Sequence, residues 1–353
     1  MQSVGRITPN DAGLWREEQV EGLRRVTEFV KSQGALVGVQ LAHAGRKASV
    51  NAPWVVGRGQ RRAGWDVGGW GPGGVVGPTG GVDQIWDGKT EDDESGGYWE
   101  PRELTVEEIE KIVDDFRSAA ARAVRAGVDV VEIHAAHGYL IHQFLSPVTN
   151  RRRDAYGGDF WGRTRLLREV VQAVRSVMPE GLPLFVRVSA TEWLEGSEVE
   201  KSAGGSWTVD ETVRLAKLLP ELGVDLLDVS SGSNHRDQDV SVFKIKDYQT
   251  RNAARIRREV KSEGKRLLIG AVGLITDAEQ ARDLVQEEPT VADEAQAVKE
   301  LTDATGGKEP HADVVFVARQ FMREPEWVLR IAAQLDVDVA WPSQFRRVRF
   351  PKM

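Results

Sequence analysis

Short apolar runs rich in β-branched residues alternate strictly with amphipathic stretches, and this alternation restricts the fold of the chain more than any other feature. The runs are Ala35–Leu41, Val128–His134, Leu184–Ser189, Val224–Ser230, Leu267–Val272 and Asp313–Ala318. Each reads as a strand buried on both faces, as in a parallel sheet covered by helices. In the stretch Thr105–Ala126, residues Ile109, Ile112, Val113, Phe116, Ala120 and Val124 make one apolar stripe. Thr105 and Glu108 have capping-box spacing, Gly127 suits the C-terminal cap, and Thr276 with Glu279 repeats the N-terminal device before a helix Asp277–Gln286. So many repeats predict a single α/β domain over residues 1–353, a (β/α)8 TIM barrel rather than an open doubly wound sheet. Six strands are legible where a closed barrel has eight, so the expected barrel lacks its first one or two strands.

Two segments interrupt the rhythm. Trp54–Trp99, rich in Gly and Trp, contains nothing that reads as a buried parallel strand; it is either a lid over the barrel mouth or a mobile surface insertion. Glu287–Pro310 is polar and reads as solvated helix and loop remote from the chemistry. A net charge of −7 with no long basic block argues against a nucleic-acid or anionic-membrane surface and for a small-molecule partner. The absence of cysteine excludes disulfides, thiolate catalysis and cysteine-ligated metals. No apolar run approaches the roughly 20 residues of a membrane span, and Met1–Gly13 has no signal-peptide core, so a cytoplasmic location is expected.

In such a barrel, chemistry gathers where strands end and βα loops begin. The first run ends in Gln40, Leu41, Ala42 and His43, followed by Gly45, Arg46 and Lys47. A buried amide at Gln40 either pairs with the edge of a heterocycle or is a satisfied core glutamine. The second run ends in His134, Ala135, Ala136, His137, Gly138 and Tyr139, so that two imidazoles leaving one strand can point into one pocket. With no HExxH glutamate and no cysteine, a metal is the lesser reading and none is expected. Neutral imidazoles can donate to a carbonyl or nitro oxygen, and Tyr139 offers a phenolic proton to a general-acid step. Arg187, inside an apolar strand, needs an anionic or electron-rich neighbour, or a structural partner such as Glu132 or Asp228. The turns Gly270–Gly273 and Ala318–Arg319 supply small residues and a guanidinium where barrels of this class often bind a phosphate.

Taken in order, these blocks resemble the Old Yellow Enzyme family, in its thermophilic-like branch with a His-His substrate pair. The resemblance runs from Val4 to Arg347 through Gly38–Lys47, His134–Leu140, Phe144–Pro147 with Asn150, Arg151, Asp154, Tyr156, Gly157 and Gly158, and Gly270–Thr276. It implies an FMN-dependent NAD(P)H oxidoreductase, an ene-reductase that takes hydride from NADPH or NADH and delivers it to the C=C bond of enones, enals or nitroalkenes. By matching motifs, Gln40 binds the flavin pyrimidine edge, Arg187 stabilises negative charge near flavin N1, and Gly273, Ala318 and Arg319 hold the phosphate. His134 and His137 bind the electron-withdrawing oxygen of the activated alkene, and Tyr139 protonates the α-carbon. The loop Phe144–Gly158 is expected to be a brace behind the site.

The segment Gln344–Arg347 resembles one that lends an arginine to a neighbouring subunit's site; Arg347 in a homo-oligomer is that residue, or else part of a solvated basic tail. Family members carry two further strands before the position matching Val4, with a cysteine that tunes the flavin, and a glycine where Ala318 stands. Three other readings stay open: a flavin-free barrel acting as a non-catalytic binding protein, a redox-neutral flavin isomerase, and a metal-dependent hydrolase.

Overall fold

The computed structural model describes residues 3–56, 62–71, 73–90, 92–93, 96–286 and 309–347. Its strands are β1 (Gly38–Leu41), β2 (Val76–Gly77), β3 (Arg102–Glu103), β4 (Val130–Ala135), β5 (Leu184–Ser189), β6 (Leu226–Ser230), β7 (Leu268–Val272) and β8 (Val314–Phe316). Six of them form one parallel sheet in the order β1-β4-β5-β6-β7-β8, the order of a barrel wound strand by strand. Helical crossovers make the parallel pairing possible: Val106–Arg125 leads into β4, Phe160–Arg175 into β5, Val209–Ala216 into β6 and Thr250–Ser262 into β7. Among the described residues, β1 and β8 are the free edges of this sheet.

The two faces of the sheet differ, which corrects the expectation of strands buried on both sides. Toward the helices, Leu41, Val131, Ile133, Val186, Val188, Leu227, Val229, Ile269 and Ala271 are at most 1% exposed, clustered with Ile109, Ile112 and Phe116 of Val106–Arg125 and with Leu166 and Val170 of Phe160–Arg175. Each such Leu, Ile, Val or Phe side chain stabilises the fold by about 1.5–3 kcal/mol. The alternate residues face the barrel interior, where Gln40 is exposed and Leu268 is 50% exposed, because six strands do not close around that side.

Local signals account for most element ends. Thr105 Oγ1 accepts from the Glu108 amide at 3.2 Å and Glu108 Oε2 from the Thr105 amide at 2.9 Å, the expected capping box. The second expected cap is displaced by one residue: Asp277, not Thr276, caps the helix Ala278–Val285, accepting from the Gln280 amide at 2.8 Å. A short carboxylate satisfies the orphan amides and the positive helix end together, which a threonine does not. Within the Trp54–Trp99 excursion, β2 is a short buried strand, parallel to β3, that the sequence reading did not find. Most of the polar insertion, residues 287–308, lies outside the described residues. Among the described residues no helix is long and apolar enough to cross a membrane.

Candidate active site

Parallel register brings the interior polar residues into one row. Gln40 stands opposite Glu132, His134 opposite Arg187, and Arg187 opposite Asp228. Gln40 Nε2 donates to Glu132 Oε2 at 2.6 Å, and Arg187 Nε lies 2.9 Å from Asp228 Oδ2 as an ion pair without hydrogen-bond geometry. Gln40 is exposed rather than the buried amide expected, because β1 is a sheet edge. Burial pushes the Asp228 carboxyl up to about 7 against the pull of Arg187, and raises that of Glu132. Among the described residues, Glu132 Oε1, Asp228 Oδ1 and Arg187 Nε have no hydrogen-bond partner, so the row keeps polar capacity for another group.

Immediately after β4 the chain reverses through two left-handed residues, His137 at φ 58° and Gly138 at φ 69°. A Cβ on Gly138 would stand 2.3 Å from the Ser233 carbonyl oxygen, so only glycine fits. Gly138→Ala is therefore expected to lower stability by roughly 1–3 kcal/mol, read as a fall in thermal midpoint; an unchanged midpoint would show that the turn is not held as described. This reversal folds His137 back on His134, with His137 Nδ1 3.3 Å from His134 Nε2 and His137 Nε2 2.6 Å from Ser230 Oγ. The Ala136 amide donates to His134 Nδ1 at 3.1 Å, which puts the His134 proton on Nε2. His134 thus donates to His137 Nδ1, and His137 Nε2–H donates to Ser230.

Burial, reinforced by Arg187 and Lys47, lowers His134 to about 3, and burial with His134 and Arg187 holds His137 well below the ordinary imidazole value. Both rings are neutral at pH 7. Because their folded pKa values are depressed, their contribution to stability is present above about 6.5 and is lost as the pH falls toward 3. Ring-proton NMR is expected to show neither histidine titrating between about pH 5.5 and 8, straddling the free imidazole value; a midpoint near 6.5 for either would contradict the burial argument.

Tyr139 packs edge-on against His134, ring centroids 5.0 Å apart, and burial followed by Asp11 raises its phenol. Gln40, Ala42, Ala44 and Tyr139 line one side of a hollow of about 110 Å³ whose other side includes Arg6, Asp11 and Trp15. Several participants had no role in the sequence reading. Lys47 Nζ donates to the carbonyls of His137 at 2.9 Å and Ser233 at 2.6 Å and lies 4.6 Å from the Trp86 ring centre and 5.6 Å from that of Tyr139. Burial, then Arg46, lowers its pKa to about 7. Trp86 Nε1 donates to the same Ser233 carbonyl at 3.3 Å, placing one residue of the excursion at the rim. Ser189 Oγ accepts from the His137 amide at 2.9 Å. The only sequence signal for Ser189 and Ser230 is that each ends a strand.

The remaining predicted residues are separate from this cluster. Gly273, at φ 112°, follows β7, and Ala318 and Arg319 follow β8, whose Phe316 pairs with Val272; the two turns are neighbours at the same end of the sheet. Ala318 and Arg319 are exposed. Arg347 is exposed in the last described turn and makes no hydrogen bond or ion pair with the site residues. The loop Phe144–Gly158 is held internally, with Asn150 Nδ2 donating to the carbonyls of Phe144 and Tyr156, both at 2.7 Å.

The sequence profile of the NADH:flavin oxidoreductase / NADH oxidase family matches residues 1–292. The chain belongs to this family. Over 345 residues the oxidoreductase is 40% identical to an NADH:flavin oxidoreductase of Gibberella zeae, a match covering 98% of this chain and 74% of the relative. Over 344 residues it is 36% identical to an NADPH dehydrogenase of Bacillus subtilis, covering 97% and 80% of the two chains. Among solved structures, morphinone reductase is similar with a TM-score of 0.61 at 26% identity, over 96% of this chain and 77% of that one. The oxidoreductase is thus an FMN enzyme of Old Yellow Enzyme type, with a reduced nicotinamide as its hydride donor.

The residues of the oxidoreductase fit that cofactor. Arg187 is a largely buried cation with no hydrogen bond among the described residues, and Gln40 offers an exposed amide in the same row. Two neighbouring turns at one end of the sheet present a glycine without a Cβ and an exposed guanidinium, a donor set suited to a phosphate.

Proposed function

We propose that the enzyme reduces the C=C bond of enones, enals or nitroalkenes, with hydride taken from NADPH or NADH. The observation that carries this reading is the neutral His134–His137 pair, held at 3.3 Å beside Tyr139 and next to Arg187 in register. When bound, FMN supplies the hydride that it has gained from the nicotinamide. In the free site the two imidazole N–H groups are engaged by His137 Nδ1 and by Ser230. A carbonyl or nitro oxygen gathering negative charge competes for both donors, and their hold on it draws electron density from the β-carbon. Tyr139, kept protonated by burial, gives the proton to the α-carbon. Hydride and proton together complete the two-electron reduction.

Gln40 would hold the pyrimidine edge of the flavin and Arg187 would supply the positive charge that favours its reduced form; Gly273, Ala318 and Arg319 would hold the phosphate. Arg347, exposed at the chain end, is offered to the site of a second copy in a homo-oligomer. The test is the visible spectrum of the protein purified after incubation with FMN. A flavin band that bleaches with NADPH and recovers with an enone supports the reading. Bleaching without recovery in the presence of any enone, enal or nitroalkene sinks the alkene as substrate class, and a colourless protein sinks flavin chemistry for this chain.

A further inference from the structure

Two buried groups outside the substrate-facing cluster, His142 and Glu192, stand behind the turn that carries His137. The backbone N–H and C=O of both turn residues are held by side chains. The His137 amide donates to Ser189 Oγ at 2.9 Å and its carbonyl accepts from Lys47; the Gly138 amide donates to His142 Nδ1 at 2.9 Å and its carbonyl accepts from Gln143 Nε2 at 2.7 Å. His142 and Glu192 are completely buried, so neither touches substrate. A ring that accepts at Nδ1 carries its proton on Nε2, and His142 Nε2 faces Glu192 Oε1 at 3.5 Å with no hydrogen bond of its own. Glu192 is fixed in turn by Ser146 Oγ at 2.8 Å, by the Trp207 amide at 2.7 Å and by Asn234. The opposite His142 tautomer would set an N–H against the Gly138 N–H and a lone pair against the carboxyl oxygen. The Gly138 amide thus fixes the Nε2–H tautomer, and Glu192 Oε1 is the polar atom that faces this proton.

We propose that His142 and Glu192 are positioning residues for alkene reduction, acting through the Gly138 amide on the orientation of His137. The proposal rests on the ene-reductase reading for its kinetic consequence, but its structural core is testable without catalysis. In the FMN-loaded enzyme, His142→Phe removes the acceptor while keeping a buried ring. It is expected to slow reoxidation of the reduced flavin by 2-cyclohexenone by roughly 10- to 100-fold, the cost of a misplaced reacting group, with flavin content and the rate of reduction by NADPH unchanged. His142→Asn, whose Oδ1 can accept from Gly138, is expected to recover most of that loss. Nitrogen-15 NMR of histidine-labelled protein without FMN reads the His142 tautomer directly, and Glu192→Gln is expected to shift it from Nε2–H toward a mixture. Equal reoxidation rates for His142→Phe, His142→Asn and wild type would overturn the proposal, as would a wild-type His142 protonated on Nδ1. Should the wild-type enzyme reduce no alkene, the ene-reductase reading fails by itself, and an Nδ1-protonated His142 or an unmoved tautomer in Glu192→Gln still decides against the tautomer lock.

Discussion

Replacing His137 by alanine is expected to lower kcat/KM for an enone by about 100- to 1,000-fold, the cost of removing one preorganised donor to a developing oxyanion, while FMN content and the rate of flavin reduction by NADPH stay near wild type. The asymmetry follows from position. His137 stands on a loop after β4, hydrogen-bonded to Ser230 and His134, and takes no part in the Gln40, Arg187 or Gly273 contacts that suit the cofactor. Its removal also releases His134 Nε2–H, so the surviving donor loses its orientation as well as its neighbour. His137→Asn, which keeps one N–H donor, should lose less than the alanine variant. The measurement is the single-turnover rate of flavin reoxidation by enone. A loss below about 10-fold, smaller than positioned acid–base groups ordinarily give, would place the oxygen-binding site elsewhere in the barrel mouth.

The second large effect concerns the Arg187–Asp228 pair. Arg187→Leu is expected to destabilise the protein by about 1–1.5 kcal/mol more at pH 8 than at pH 5, the limit set by one pH unit above a folded carboxyl value of about 7. Asp228 is nearly inaccessible, and burial already raises its carboxyl to about 7 although Arg187 opposes the rise. A group whose folded pKa is raised stabilises the fold below its unfolded value and loses that contribution as the pH rises through the folded value. Without Arg187 the folded pKa climbs further, so Asp228, protonated at pH 5 with or without Arg187, loses at pH 8 the ionisation that Arg187 favours. Urea midpoints at the two pH values read the difference directly. A loss of equal size at both would mean that packing of the Arg187 stem, not its charge, stabilises the strand. The same variant is expected to bind FMN more weakly, as loss of a cation next to the His134 position requires.

The helix Val106–Arg125 was legible down to its cap, because Thr105 and Glu108 interact across one turn and the apolar stripe repeats every 3.6 residues. β5 occupies the residues read from the pattern, and the other five strands of the main sheet begin one to three residues later than read. The His134–Tyr139 block could be singled out for a similar reason: its members leave one strand together. What stayed hidden depends on which strand lies beside which. Nothing near Lys47 in the chain says that its ammonium reaches the His137 carbonyl, and nothing near Arg187 chooses Asp228 over Glu132.

The sequence alone thus determined the barrel order and the flavin family and nominated candidate site residues, since hydrophobic periodicity, caps and contiguous motifs are local properties. Only the tertiary structure decided how those residues are oriented and charged. The left-handed turn at His137, the tautomer of His134, the pairing of Arg187 and the half-open interior face all follow from register and burial, which bring together groups far apart in the chain and withdraw water from some of them but not others.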